Sequence, residues 1–233
     1  MTPVPRRILP VIVFSQFAGT SLWFAVNAVM PDLQRAWGLP PEAVGTLTSA
    51  VQLGFVAGTL AFTLSMLADR FSPSWVFLVC ALLGAVANAL TVVLDGNWPA
   101  LVALRFGVGF LLAGIYPVGM KIAASWYRER LGAVMGLLIG ALVVGTALPY
   151  GMRAIGFATG GALSWQAVVL GVSVVAALGG LATALLVPDS PVRNQGARIR
   201  LRALDLIWHD RRVRAAVLGY FGPMWDLYAL FVL

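Results

Sequence analysis

From Ala43 to Ala68 the chain carries no charged side chain, and after the pair Asp69-Arg70 the stretch Phe71 to Leu94 carries none either. Each run exceeds the ~20 residues that an α-helix needs to cross ~30 Å of hydrocarbon. Two polar residues between such runs leave room only for a tight turn joining two membrane-spanning helices. Similar apolar runs at roughly 8–30, 99–122, 131–153, 163–187 and 214–233, with 43–67 and 74–94, predict seven spans. Barrel strands would show alternating segments of ~10 residues, and the sequence has none. The expected fold is therefore an all-α polytopic membrane protein. With 60% hydrophobic and 11% charged residues, a soluble domain is excluded. The first run is too long, and too polar at its far end, for a cleaved signal peptide.

Basic residues set the orientation. With the N-terminus in the cytoplasm, the inner segments hold Arg6, Arg7, Arg70, Lys121, Arg128, Arg130, Arg193, Arg198, Arg200, Arg202, Arg211, Arg212 and Arg214. The outer loops then hold only Arg35 and Arg153, with Leu33–Pro41 and Asp95–Pro99 outside. The expected location is the inner (cell) membrane, with the lipid bilayer as solvent. The net charge of +7 is thus mostly a topology signal and calls for no nucleic-acid partner. Cys80 is the single cysteine and His209 the single histidine, so no disulfide, His-based metal site or cofactor is read from the chain. A phosphate-cradling Gly-x-x-x-x-Gly-Lys loop is absent, which excludes an ATP-driven pump. No catalytic residue is expected either. An intramembrane serine protease needs a buried histidine, and a metalloprotease needs a pair of them.

Away from the ends of the seven expected spans, where Lys121, Arg153 and Arg214 lie, only Arg105 and Asp226 are charged. An ionised side chain at mid-membrane is costly and faces a cavity or a partner, so both are functional candidates. At 1.5 Å per residue both fall ~10 Å from the outer surface. Gly109, four residues past Arg105, is read as removing bulk beside the guanidinium, and Tyr116 returns to the same face. The first span has a polar stripe of Gln16, Thr20, Trp23 and Asn27, and the second adds Ser49 and Gln52. Amides, a phenol and one guanidinium form a donor-rich surface suited to an anion. The plainer alternative is that Arg105 pairs with Asp226 or binds a carbonyl, while the amides bridge helices.

The turn Leu67-Ala68-Asp69-Arg70-Phe71 resembles the loop between helices 2 and 3 of the major facilitator superfamily, Gly-x-Leu-Ala-Asp-Arg-x-Gly-Arg-Arg/Lys. Ser65 and Ser72 replace its glycines, and Pro73-Ser74 its basic pair. The resemblance implies a gating role for Asp69 and Arg70, with Arg128, Glu129 and Arg130 of the next cytoplasmic loop as partners. Leu101-x-x-x-Arg105-x-x-x-Gly109 resembles the helix 4 motif, whose arginine is associated with substrate or proton coupling. Pro188-Asp189-Ser190-Pro191 resembles the family's exit from helix 6. The implied organisation is a six-helix N-terminal bundle over 1–187, a basic central loop over 188–213, and a seventh helix over 214–233 that begins a C-terminal six-helix half beyond this chain. Leu201, Leu204 and Trp208 within the loop fit an interfacial helix. Trp23 to Asn27, Gly45 to Ser49, Ala113 to Lys121 and Gly222 to Tyr228 resemble bacterial members grouped loosely with nitrate/nitrite and cyanate carriers. Helix 2 lacks the arginine of true nitrate carriers. The antiporter signature is absent too, since Gly145 and Pro149 are not adjacent.

Weak internal similarity fits a 3+3 repeat. Gly45, Gly58 and Thr59 recur 87 residues later as Gly132, Gly145 and Thr146, and Gln16-Phe17 precedes Arg105-Phe106 by 89. Gly54-Gly58 and Gly132-Gly136-Gly140 form small-residue ladders that predict close helix packing. The expected function is secondary transport of a small solute, an organic or inorganic anion, with a proton as candidate coupling ion. A non-transport multispanning protein of receptor or scaffold type is the alternative. Seven-helix receptors, however, have the opposite orientation.

Overall fold

The computed structural model describes residues 4–158, 160, 161, 163–190, 209–215, 218 and 219. They separate into a unit ending at Gln195 and a second beginning at Gly196. In the second, Asp210 Oδ1 accepts from the backbone N of Arg212 at 2.7 Å, opening a helical stretch over 211–215. The expected interfacial helix, Asp226 and all of the seventh span except 214, 215, 218 and 219 lie outside the described residues.

The first unit is all helical among the described residues. Its helices are α1 (Ile8–Thr20), α2 (Met30–Trp37), α3 (Ala43–Ser65), α4 (Leu67–Arg70), α5 (Pro73–Ala89), α6 (Trp98–Leu112), α7 (Tyr116–Trp126), α8 (Leu131–Ala158) and α9 (Trp165–Leu186). Five stretches are long and apolar enough to cross a membrane: α3, α5 with the turn after it, α6 with α7, α8, and α9. Proline starts α5 and α6. The Asn97 side chain caps α6 by accepting from Ala100 N, and Ser164 caps α9 by accepting from Ala167 N. Gly38 ends α2 in the left-handed conformation at φ 64°.

Two expected continuous spans are broken. The first stops at Thr20 and resumes as α2, because Thr20 Oγ1 and Ser21 Oγ donate back to the carbonyls of Gln16 and Ala18. Such back-bonds compete with the helical ladder. The fourth is interrupted at 113–115, where Pro117 supplies no N–H and crowds the carbonyl of Ala113. Two boundaries also move. α8 runs to Ala158, so Arg153 lies in a helix rather than in an outer loop. The fourth span ends at Trp126 instead of near residue 122, which leaves Lys121 a turn inside α7.

Helix pairing follows the expected repeat. α3 packs on α6 and α8 on α1; α5 packs on α6 and α9 on α1; α5 and α9 pack on each other. Exchanging the first three spans for the second three maps this set onto itself. The glycines explain the closest pairs. A Cβ at Gly58 would run into the Phe110 carbonyl of α6, and one at Gly145 into the Phe17 carbonyl of α1. The Gly132-Gly136-Gly140 ladder behaves differently, since added Cβ atoms there meet nothing within 4 Å. Close packing by that ladder within this unit is therefore corrected.

Candidate functional site

The break in the first span is where the chemistry collects. Carbonyls of Leu22 and Trp23 leave the helical ladder, and Arg105 of α6 takes both. Its Nη2 donates to the Leu22 oxygen at 3.1 Å and to the Trp23 oxygen at 2.5 Å, while Nη1 donates to Asn88 Oδ1 at 3.3 Å. Arg105 is completely buried, and its Nε has no partner. Side-chain donors inserted into a freed backbone are a known cause of helix breaks. Here the insertion fixes the direction in which Trp23 leaves helix 1. Among the described residues no carboxylate forms an ion pair with Arg105.

Trp23 stacks obliquely on Phe55 of α3 with centroids 4.9 Å apart, and Phe55 lies 6.3 Å from the Tyr116 ring of α7. An aromatic wall thus crosses three spans. Asn27 donates from Nδ2 to Thr48 Oγ1 at 2.7 Å, while its Oδ1 has no partner. Trp23 Nε1, Gln52 Nε2 and both amide atoms of Gln16 are likewise buried and unpartnered. Gln52 stands one turn before Phe55 on α3, and Gln16 lies against Gly119 of α7, where a Cβ would strike its Oε1. The structure therefore gathers Arg105, Gln16, Trp23, Asn27, Gln52 and Tyr116 along the interface of helices 1, 2 and 4; Asp226 lies outside the described residues. Gly109 has another use than expected. A Cβ there meets the Val51 carbonyl, so this glycine serves the α3–α6 approach rather than space for the guanidinium.

Sequence reasoning missed Asn88, which is fully buried in α5 and reaches both Arg105 and α9. A lone asparagine inside an uncharged 24-residue run was the available signal.

At the end of the bundle that carries the Asp69-Arg70 turn, Asp69 pairs with Lys121 at 2.5 Å, and Lys121 Nζ also donates to the Ala68 carbonyl at 3.0 Å. This lysine was not among the expected partners. Arg128, Glu129 and Arg130 are exposed and form no ion pair among the described residues. Ser72, where the pattern has glycine, donates to Asp189 Oδ1 at 2.6 Å, and Ser74 Oγ donates to the Val187 carbonyl at 3.1 Å. Hydrogen bonds to the helix 6 exit thus stand where the pattern has charges. At the opposite end Asp32 binds both Arg35, at 2.7 Å, and Arg153, and the Arg153 guanidinium lies over the Phe157 ring. A carboxylate and an aromatic face explain how Arg153 is accommodated inside α8.

The sequence model of the Major Facilitator Superfamily matches residues 12–233. The chain belongs to that family. Its similarity extends to a nitrate/nitrite transporter of Nostoc punctiforme, 27% identical over 191 residues, which is 79% of this chain and 37% of that protein. It is also similar to the 4-hydroxybenzoate transporters of Pseudomonas aeruginosa, 29% identical over 189 residues (76% and 39%), and Pseudomonas putida, 30% identical over 179 (74% and 38%). The chain thus spans little more than a third of these superfamily relatives, and the family match includes the break, the clasp that Arg105 forms on its carbonyls, and the aromatic wall described above.

Proposed function

We propose that this chain forms part of a secondary transporter that moves a small organic anion with a flat π-face by alternating access. The observation that carries the reading is the set of buried polar atoms without partners beside an aromatic wall: Gln16, Trp23 Nε1, Asn27 Oδ1 and Gln52 Nε2. Unpaired buried polar groups are costly, at about 1–3 kcal/mol each, so such a surface favours a ligand that satisfies them. In this reading the ring of the substrate rests against Phe55 and Tyr116, and its carboxylate accepts from the amide and indole donors. Arg105 supplies positive potential through the wall. At an effective dielectric of 20, a unit charge at roughly 8–10 Å is worth about 2 kcal/mol. The carriers of nitrate and of 4-hydroxybenzoate among the relatives both handle anions by name, and the aromatic wall favours the aromatic one. Asp69, Arg70, Lys121, Arg128 and Arg130 belong to the cytoplasmic gate. The N-terminus and residues 188–213 face the cytoplasm across a bacterial inner membrane. A further six-helix half completes the pathway, and a proton serves as the coupling ion.

Uptake of radiolabelled benzoate and of nitrate by the intact protein, reconstituted in vesicles, tests the reading. Benzoate uptake driven by an inward proton gradient is expected, and Gln52→Leu and Trp23→Leu should each raise its KM by about tenfold or more through loss of a hydrogen bond to a charged group. Nitrate uptake without benzoate uptake would overturn the organic-anion assignment. Wild-type KM in both variants would remove the proposed surface.

A further inference from the structure

Asn88 is held from both ends, and the logic of its hydrogen bonds fixes which way the amide points. Ser173 Oγ donates to the Val169 carbonyl at 2.9 Å, so its one proton is committed and it meets Asn88 only as an acceptor. The Val169 oxygen is an acceptor as well. Asn88 must therefore turn its NH2 toward α9, at 3.1 Å from Val169 O and 3.0 Å from Ser173 Oγ. That leaves Oδ1 facing Arg105 Nη1 at 3.3 Å. All three residues are buried, with Asn88 and Arg105 at 0% exposure.

An aspartate in the same place would aim a carboxylate oxygen at two acceptors, and it would also neutralise Arg105. A leucine would leave the guanidinium one acceptor short. Only a neutral group that donates on one side and accepts on the other meets both demands. Among the described residues every partner of Arg105 is correspondingly neutral: two backbone carbonyls and one amide. A buried cation held this way keeps its full charge while its geometry is fixed.

We propose that Asn88, braced by Ser173 and Val169 of α9, is a positioning residue that determines anion specificity. It locks Arg105 against the break in helix 1 without cancelling the charge that attracts the substrate. The inference rests on the reading of the site as an anion site, and it extends that site to α5 and α9, which do not line the aromatic wall. Specificity for an anion over its neutral isostere then arises from an immobilised charge that no carboxylate among the described residues compensates, rather than from direct contact with the guanidinium.

The test measures equilibrium binding of benzoate and of neutral benzamide to the purified intact protein. Asn88→Asp is expected to weaken benzoate by at least about tenfold, as loss of a charge-assisted interaction implies, while benzamide binding stays within twofold of wild type by about the same reasoning. Asn88→Leu keeps the charge and should weaken benzoate by no more than a few-fold. Ser173→Ala, which removes one brace, should weaken benzoate about two- to threefold. Wild-type benzoate affinity in Asn88→Asp, or equal losses for benzoate and benzamide, would overturn the proposal. If Asn88→Asp does not fold, Ser173→Ala decides: weakened benzoate with intact benzamide supports it, and unchanged benzoate refutes it. Arg105→Gln separates the two levels. Benzoate binding lost in Arg105→Gln but kept in Asn88→Asp sinks only the role of Asn88. Benzoate binding kept in Arg105→Gln sinks the anion site itself.

Discussion

Two glycines two residues apart in α6 should respond in opposite ways to the same substitution. Gly109 faces α3, where a new Cβ would lie 2.8 Å from the Val51 carbonyl carbon and 3.0 Å from Phe55 N, and closer still to the Val51 oxygen. These are backbone atoms of a packed helix and cannot turn aside as a side chain could. Gly107 has nothing within 4 Å of the same added atom. Overpacking costs about 1–3 kcal/mol, against which replacing a mid-helix glycine by alanine returns about 1 kcal/mol. Gly109→Ala is therefore expected to lose up to about 2 kcal/mol net, and Gly107→Ala to gain up to about 1. Equilibrium unfolding of the purified variants in one mixed-detergent system reads both. Gly109→Ala should also lower transport, because pushing α3 away separates Phe55 from Tyr116 and Trp23 from its stacking partner. Stability changes of equal sign and size at the two positions would refute the claim that the α3–α6 approach is set by backbone contact.

Single cysteines placed at 36 or 39 should label with an impermeant reagent from outside and those at 189 or 209 only from inside, and the reverse pattern would invert the topology. Asp69→Asn should shift the inward/outward balance, read by crosslinking or spectroscopic distance, with little change in substrate affinity. Lys121→Gln should produce the same shift, and the double change should not add to it, since both remove one ion pair. Arg105→Lys keeps a charge but cannot reach two carbonyls and an amide at once, so benzoate KM should rise strongly, and a wild-type KM would argue against the clasp.

The membrane class and the glycine contacts of α3 were legible because they rest on composition and on small residues at fixed spacing, which lipid-embedded helices use in a uniform way. Arg105, Gln16, Trp23, Asn27 and Gln52 stood out for the same reason, as polar groups in apolar runs. Continuity of the first and fourth spans did not follow, because hydropathy is blind to where a carbonyl finds its partner. The break after Thr20 depends on two hydroxyl back-bonds and on an arginine 82 residues away from Trp23. Ladder function was equally invisible: Gly54-Gly58 and Gly132-Gly136-Gly140 read alike, yet only the first faces a backbone. Lys121 falls inside the expected fourth span, but its partner was not legible: its aliphatic stem lets it belong to α7 while its ammonium reaches Asp69. Asn88 marks the general limit. A single polar residue in a long apolar run signals that something is bound, but which partners it joins is decided by α5, α6 and α9 meeting. In this fold that meeting links the bracing helices to the charge at the proposed substrate site.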